Sequence, residues 1–260
     1  MCSTCGCSDE AGVRVLRLSS QQDETGHGHG HGHGHGHDHA ESPESRTVLL
    51  EEPVLAKNDM LAAENRAWFA QRDIVSVNLM SSPGAGKTTL LVRTIGDLSG
   101  RGVDVGVVEG DQETVLDTER IAATGCDVVQ INTGAGCHLD AEMLARGVRT
   151  LEPGAGSVLF IENVGNLVCP ALFDLGEDAR VVLMSVTEGE DKPLKYPHMF
   201  RSADLVVLTK TDLLPHVDFD PARCLEYARR VNPRLGMVEV SATRGDGLDA
   251  WYDWLTARTG

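Results

Sequence analysis

Ser81-Ser82-Pro83-Gly84-Ala85-Gly86-Lys87-Thr88-Thr89 follows the apolar run Ile74-Val75-Ser76-Val77-Asn78-Leu79-Met80 and precedes residues 90–95, whose apolar side chains recur at helical spacing. Strand, tight small-residue loop, Gly-Lys-Thr and helix, in that order, is the layout of a phosphate-binding P-loop. The small residues Gly84, Ala85 and Gly86 let backbone N–H groups turn inward around a phosphate, and the helix N-terminus adds positive potential. Lys87 is placed to reach the terminal phosphates and the Thr88 hydroxyl to hold Mg²⁺, with Thr89 closing the cradle. One position departs from the strict pattern: Ser81 stands where the first glycine is expected.

Outward from this loop the chain alternates strand and helix signals. Residues 103–108, 126–131, 158–161, 181–186, 205–208 and 237–240 read as strands, and 117–123, 139–149, 221–231 and 248–257 as helices. Ahead of the loop, Asn58 or Asp59 is placed to cap a helix running to Gln71, with Met60, Leu61, Ala63, Ala67 and Trp68 as its apolar face. Continuous apolar strands alternating with helices predict an α/β fold, a mostly parallel sheet flanked by helices, of the P-loop NTPase kind. In such sheets the ligand sits beyond the carboxyl ends of the strands.

Composition narrows the function classes. Aromatic residues are only 4% of the chain, so the core must be mostly aliphatic. The formal net charge of −16 argues against a nucleic-acid backbone as the main partner. No apolar run approaches the roughly 18 residues of a membrane span, and no basic-then-apolar leader is visible. The seven cysteines are odd in number and clustered, which fits a reducing cytoplasm with thiols used for metal or left free. Residues 1–46 read as a disordered Cys- and His-rich tail unable to build a core, and 47–260 as the P-loop domain.

Three further motifs bear on nucleotide. Thr209-Lys210-Thr211-Asp212 resembles the guanine-reading motif of GTPases, with Thr in place of the usual Asn. One carboxylate, Asp212, can accept from both the N1 and N2 donors of guanine, and adenine lacks that pair. Lys210 would lay its aliphatic stem against the ring. Ser241-Ala242-Thr243 resembles the backbone loop that contacts guanine O6. Glu162-Asn163-Val164-Gly165 resembles the Asp-x-x-Gly switch: Glu162 would hold Mg²⁺ through water, and the Gly165 N–H would meet the γ-phosphate. Asp111, in Glu109-Gly110-Asp111, is a second acid suited to Mg²⁺ or to positioning water. No strong general base and no arginine finger stands out, so slow intrinsic hydrolysis is expected.

Soft metal ligands fall in three groups. Cys2, Cys5 and Cys7 can close on one ion, Ni²⁺ in square-planar or Zn²⁺ in tetrahedral geometry. His27, His29, His31, His33, His35, His37 and His39 alternate mostly with Gly and suit a loose buffer for divalent ions. Cys137 and His138 adjoin at the entry to a helix, and Cys169, just past the Glu162 switch, can supply a third ligand. A second protomer could add more by symmetry. Cys126 and Cys224 sit inside element patterns and read as small core residues.

Taken together, these residues resemble one family: the hydrogenase nickel-incorporation GTPases, the hydrogenase-maturation B proteins. The likeness rests on Cys2-x-x-Cys5-Gly6-Cys7, the His-rich linker, the loop at 82–89, Glu109-Gly110-Asp111, the run from Asn132 to Asp140 through Cys137-His138, and the run from Glu162 to Pro170 through Cys169. The resemblance implies a GTPase of the signal-recognition-particle-like class that binds GTP/GDP and dimerises across nucleotide. It implies delivery of Ni²⁺ to the large-subunit precursor of a nickel–iron hydrogenase, with a small nickel/zinc metallochaperone as partner. Cys2, Cys5 and Cys7 would form a tight nickel site, and Cys137, His138 and Cys169 a Ni²⁺ or Zn²⁺ site near the dimer interface. Two other readings stand beside it. One is a urease-accessory GTPase, whose domain site is Cys-Pro-His where this chain has Cys137-His138. The other is a non-enzymatic nickel store.

Overall fold

A computed structural model describes residues 14–18, 43–111, 115–134 and 136–258. Cys2, Cys5, Cys7 and the histidines from His27 to His39 lie outside these residues.

Eight strands form one sheet. In chain order they are β1 (Arg14–Leu18), β2 (Val75–Ser81), β3 (Val105–Asp111), β4 (Asp127–Asn132), β5 (Val158–Glu162), β6 (Ala179–Ser185), β7 (Leu205–Thr209) and β8 (Gly236–Glu239). Their spatial order is β1-β4-β3-β5-β2-β6-β7-β8. All neighbours are parallel except β1 and β4. The helices are α1 (Pro43–Ala70), α2 (Lys87–Ser99), α3 (Leu116–Ala122), α4 (Ala141–Leu151), α5 (Lys192–Lys195), α6 (Pro197–Ser202), α7 (Pro221–Val231) and α8 (Leu248–Thr256). This is the α/β P-loop NTPase fold that the apolar runs predict. Among the described residues no helix is long and apolar enough to cross a membrane.

Both sheet faces are covered, so alternate residues of a strand enter different layers. Val77 and Leu79 of β2 and Val181 and Leu183 of β6 pack with Leu90, Ile95 and Trp251 beneath α2 and α8. Val182 and Met184 of β6 pack on the opposite face with Phe200 and Cys224. Leu159 and Ile161 of β5 join Phe69, Leu144 and Val148 beneath α1 and α4. Trp251 is fully buried, and its indole N–H donates to Thr94 Oγ1 at 2.9 Å. Trp251→Ala removes the largest side chain of that layer and strands the Thr94 partner. A loss of about 3–5 kcal/mol is expected, read as a lower urea midpoint at unchanged slope.

Two elements differ from the sequence reading. The stretch read as a tail contributes β1, an antiparallel edge strand in register from Arg14↔Asn132 to Leu18↔Val128. Val15 packs partly against the α1/α4 layer, while Arg17 reaches Asp127 at 3.5 Å. A five-residue strand flanked by polar sequence is masked when composition is averaged over the whole tail. Helix α1 begins well before Asn58, which is no cap. Among the described side chains its buried residues are Asn58, Ala62, Asn65 and Phe69, with Leu61 and Trp68 partly covered, whereas Met60, Ala63 and Ala67 of the expected apolar face are exposed. Two asparagines on the buried face broke the apolar periodicity on which a helix boundary is judged.

Candidate nucleotide and metal site

Strand β2 lies at the centre of the sheet and delivers the P-loop from its carboxyl end. Gly84 and Gly86 take φ of +74° and +97°, a region a side chain strains, and Gly86 is the N-cap of α2. The serine in place of the first glycine has a partner of its own. Lys87 Nζ donates to Ser81 Oγ at 3.0 Å, and Ser81 Oγ donates to the Ser82 carbonyl at 2.6 Å. Ser82 Oγ in turn donates to Glu188 Oε2 at 2.5 Å and accepts from Lys192 Nζ at 2.7 Å. Thr89 Oγ1 accepts from Arg120 at 3.2 Å.

Three acids lie at the neighbouring strand ends. Thr88 Oγ1 donates to Glu162 Oε1 at 2.8 Å, while the buried Glu162 Oε2 has no hydrogen-bond partner. Burial pushes the Glu162 carboxyl up to about 7, against the pull of Lys87 and the Thr88 hydroxyl. A threonine hydroxyl beside a buried carboxylate with a spare oxygen is a hard-oxygen donor set, and it fits Mg²⁺. Glu109 pairs with Glu162 across β3 and β5. It accepts from the Thr118 hydroxyl of α3, and burial pushes it up to about 8. Asp111 ends β3, half-buried, and its carbonyl accepts from Thr133 N at 2.9 Å.

On the far side of the P-loop the loops at 209–212 and 241–243 converge. Thr209 Oγ1 donates to the Ala85 carbonyl at 2.6 Å, so the hydroxyl makes the P-loop contact for which Asn is usual. Lys210 adopts φ +59° and donates from Nζ to the Gly84 carbonyl at 2.8 Å. Ser241 Oγ donates to Asp212 Oδ1 at 2.7 Å and lies 3.2 Å from Thr243 Oγ1, while Ala242 packs on the core. The two loops are thereby locked together, with the Asp212 carboxylate at their junction.

The segment after β5 faces both ways. A Cβ on Gly165 would stand 3.1 Å from Pro83 N and Cα, so the switch glycine packs directly on the P-loop. Asn163 is buried, and its Oδ1 accepts from Leu139 N at 3.1 Å and Val164 N at 3.0 Å. Leu139 fills the space above Gly110, where a Cβ would meet its side chain at 2.7 Å. Next to Leu139 stands His138.

Cys137, His138 and Cys169 offer ligand atoms that all lie within 4.8 Å of one another. The two thiols are 2.9 Å apart, and Cys137 Sγ is 3.8 Å from His138 Nδ1. His138 is buried and stacks on Phe173 with ring centroids 3.9 Å apart. Burial lowers its pKa, with Asp140 opposing, which favours the neutral ring that ligates metal. Two thiols and one imidazole suit Zn²⁺ or Ni²⁺. Among the described residues this is the one group of three or more candidate ligands. Cys126 and Cys224 stand apart: both thiols are pushed up to about 12, first by burial.

Residues 75–239 match the family model described as "CobW/HypB/UreG, nucleotide-binding domain". A hydrogenase maturation factor HypB from Azotobacter chroococcum is 57% identical over 217 residues, which is 84% of this chain and 71% of that one. The HypB of Escherichia coli K12 is 49% identical over 244 residues, 94% of this chain and 84% of that one. This chain belongs to the HypB family. Among solved structures, Helicobacter pylori HypB in complex with nickel superposes with a TM-score of 0.73 at 36% identity, covering 78% of this chain and 95% of that one.

In this chain the sequence motifs locate the P-loop, the loops bearing Asp212 and Ser241, and the three candidate ligands, and the fold brings each set together. Asn163 falls inside a quoted motif with no role assigned to it there, and Glu188 and Lys192, which hold Ser82, have no motif signal. Glu188 Oε1 also accepts from Ser185 N at 2.9 Å. Glu188 and Lys192 are four residues apart, at the spacing of a helical ion pair, and that is the signal by which they could be found.

Proposed function

We propose that this chain is a GTP-hydrolysing nickel metallochaperone that helps insert Ni²⁺ into the large subunit of a nickel–iron hydrogenase during its maturation. The observation that carries the reading is Asn163. Its neighbour Glu162 bonds the P-loop residue Thr88, while Asn163 itself bonds Leu139, next to His138. Support for the cargo comes from the relatives, named as hydrogenase maturation factors, one of them solved with nickel.

In this reading the P-loop amides and Lys87 bind the phosphates, and Asp212 with Ser241, Ala242 and Thr243 reads guanine. Thr88 and Glu162, with Asp111, would hold Mg²⁺, and the ion would supply neutralising charge to the bound phosphates. Gly165 follows the γ-phosphate against Pro83 and carries the 165–169 segment with it, so that Cys169 shifts relative to Cys137 and His138, which Leu139 ties to Asn163. No strong base serves the water, so turnover alone is slow.

Outside β1 (Arg14–Leu18), which joins the sheet of the P-loop domain, the stretch ahead of α1 supplies the metal-binding groups, with Cys2, Cys5 and Cys7 as the tight site and His27 to His39 as a buffer. The working form is a nucleotide-dependent homodimer in the cytoplasm. It is served by a small nickel/zinc metallochaperone, and the hydrogenase large-subunit precursor receives the metal.

Phosphate release from GTP by the purified chain, with and without nickel, separates this reading from a nickel store. A chain that binds GTP and never turns it over sinks the enzyme reading. For base choice, Asp212→Asn is expected to weaken GTP binding by roughly 10–100-fold, the worth of hydrogen bonds to a charged group, and to leave ATP binding unimproved. Competition against a fluorescent GDP reads both.

A further inference from the structure

Helix α1 carries two buried asparagines, Asn58 and Asn65, seven residues apart on one face with Ala62 between them. A buried amide is costly unless every polar atom is partnered. Here the partners are backbone groups of two other segments. Asn58 Oδ1 accepts from Ala141 N at 2.9 Å, and its Nδ2 donates to the Asp174 carbonyl at 2.7 Å. Asn65 Nδ2 donates to the Ala141 carbonyl at 2.9 Å and to the Leu175 carbonyl at 3.0 Å. Both backbone groups of Ala141 are thus held by α1.

The two segments carry the metal ligands. Ala141 lies three residues past His138, and Asp174 lies five past Cys169. The same circuit closes on the other side, where Phe173 stacks on His138. Two more contacts press the Cys169 segment onto α1. Arg66 pairs with Asp174 at 2.8 Å. Gly176, at φ +85°, comes so close to α1 that a Cβ would collide with the Ala62 carbonyl. Leucines at 58 and 65 would bury as much surface without fixing any separation. Asparagines, each bonded to both segments, fix it.

We infer that Asn58 and Asn65 are positioning residues for the Cys137–His138–Cys169 site, setting the distance between the segments that bring its ligands together. The inference rests on the metal-site reading above. Outer contacts of this kind commonly change metal affinity by ~10–100-fold.

The test uses the full chain carrying Cys2→Ala, Cys5→Ala and Cys7→Ala, titrated with NiCl₂. The readout is thiolate-to-nickel charge-transfer absorption, which the imidazoles of the histidine tract do not produce. Asn58→Ala and Asn65→Ala are each expected to weaken the titration by ~10-fold or more, and to change the shape of the band, with GDP affinity unchanged. Asn232→Ala is the matched control. Its Nδ2 donates to the Ala203 carbonyl at 3.0 Å, among residues that bear no metal ligand. It is expected to lower the melting temperature without moving the titration. Should either alanine variant fail to fold, Asn58→Ser carries the same prediction.

Full nickel affinity and an unchanged band in folded Asn58 and Asn65 variants overturn the inference. So does a loss shared by Asn232→Ala in proportion to its melting temperature. Cys137→Ser in the same background separates the two readings. If the band and its midpoint are unaltered by that change, the metal-site reading falls and the positioning role with it. If the band weakens or vanishes while the asparagine variants keep theirs in full, the positioning role alone falls.

Discussion

Glu162→Gln is expected to lower GTP hydrolysis on the order of 10²–10³-fold, the usual cost of removing one preorganised electrostatic group. It is also expected to stabilise the nucleotide-free chain at alkaline pH. Both effects follow from one carboxylate. Glu162 is buried, bonded through Oε1 to Thr88, and unpartnered at Oε2. Its folded pKa is raised from 4.5 to about 7, chiefly by burial. An acid whose pKa rises on folding favours the folded state while it is protonated. That contribution is full below about 4.5 and is lost as pH climbs to about 7, where the group becomes a buried charge.

Glutamine keeps the acceptor for Thr88 and never ionises. Thermal melts without nucleotide or Mg²⁺ should therefore diverge as pH rises from 5 to 8, with Glu162→Gln the more stable at the upper end. In the unmodified chain, Mg²⁺-dependent nucleotide affinity should strengthen over the same interval as the carboxylate becomes available, and the variant should show a flat profile. Parallel melting curves at all pH values, or undiminished phosphate release, would remove Glu162 from the Mg²⁺ site.

The lesson about legibility lies in which residues kept a local signature. Gly84, Gly86 and Lys87 are readable because phosphate binding dictates residue types at fixed offsets within one loop. Cys137, His138 and Cys169 are readable as ligands by type, although their meeting depends on a turn from β5 back across the sheet. Thr209 showed as a departure from a motif. Its purpose is plain only when its hydroxyl is seen on the Ala85 carbonyl, 124 residues away in sequence.

Asn65 has no signature, Asn58 reads as a helix cap, and Asn163 stands inside a motif with no role of its own. An asparagine side chain bonding backbone far along the chain looks, in sequence, like a cap or a surface polar residue. Strand β1 was hidden for another reason. Its pairing partner Asp127–Asn132 lies more than a hundred residues on, and nothing in a run of five residues requires it. What escaped the sequence is thus mainly long-range polar pairing, including the face of α1 that carries it, while the apolar parallel strands and the phosphate loop were legible.

Cys169→Ser tests whether the metal site is built on the moving part of the switch. Three ligands are available at the domain site, and the substitution exchanges a soft thiolate for a poorly ligating hydroxyl. The loss should exceed the ~10–100-fold typical of outer contacts, read in the full chain with Cys2, Cys5 and Cys7 replaced by alanine. A second consequence is more specific. Cys169 lies four residues past Gly165, which packs on Pro83 of the P-loop. Cys137 and His138 are anchored instead through Leu139 to Asn163 and Gly110. Within one protomer, a difference in metal affinity between GDP and a non-hydrolysable GTP analogue arises from relative movement of these two groups, since a ligand shifts an equilibrium only through differential contacts. With Cys169 gone, residual nickel binding by Cys137 and His138 should be equal in the two nucleotide states, while hydrolysis in the absence of nickel continues at the parental rate. Should the residual site still distinguish GDP from the analogue, the coupling runs through the Asn163–Leu139 bond alone, and Cys169 is only a ligand.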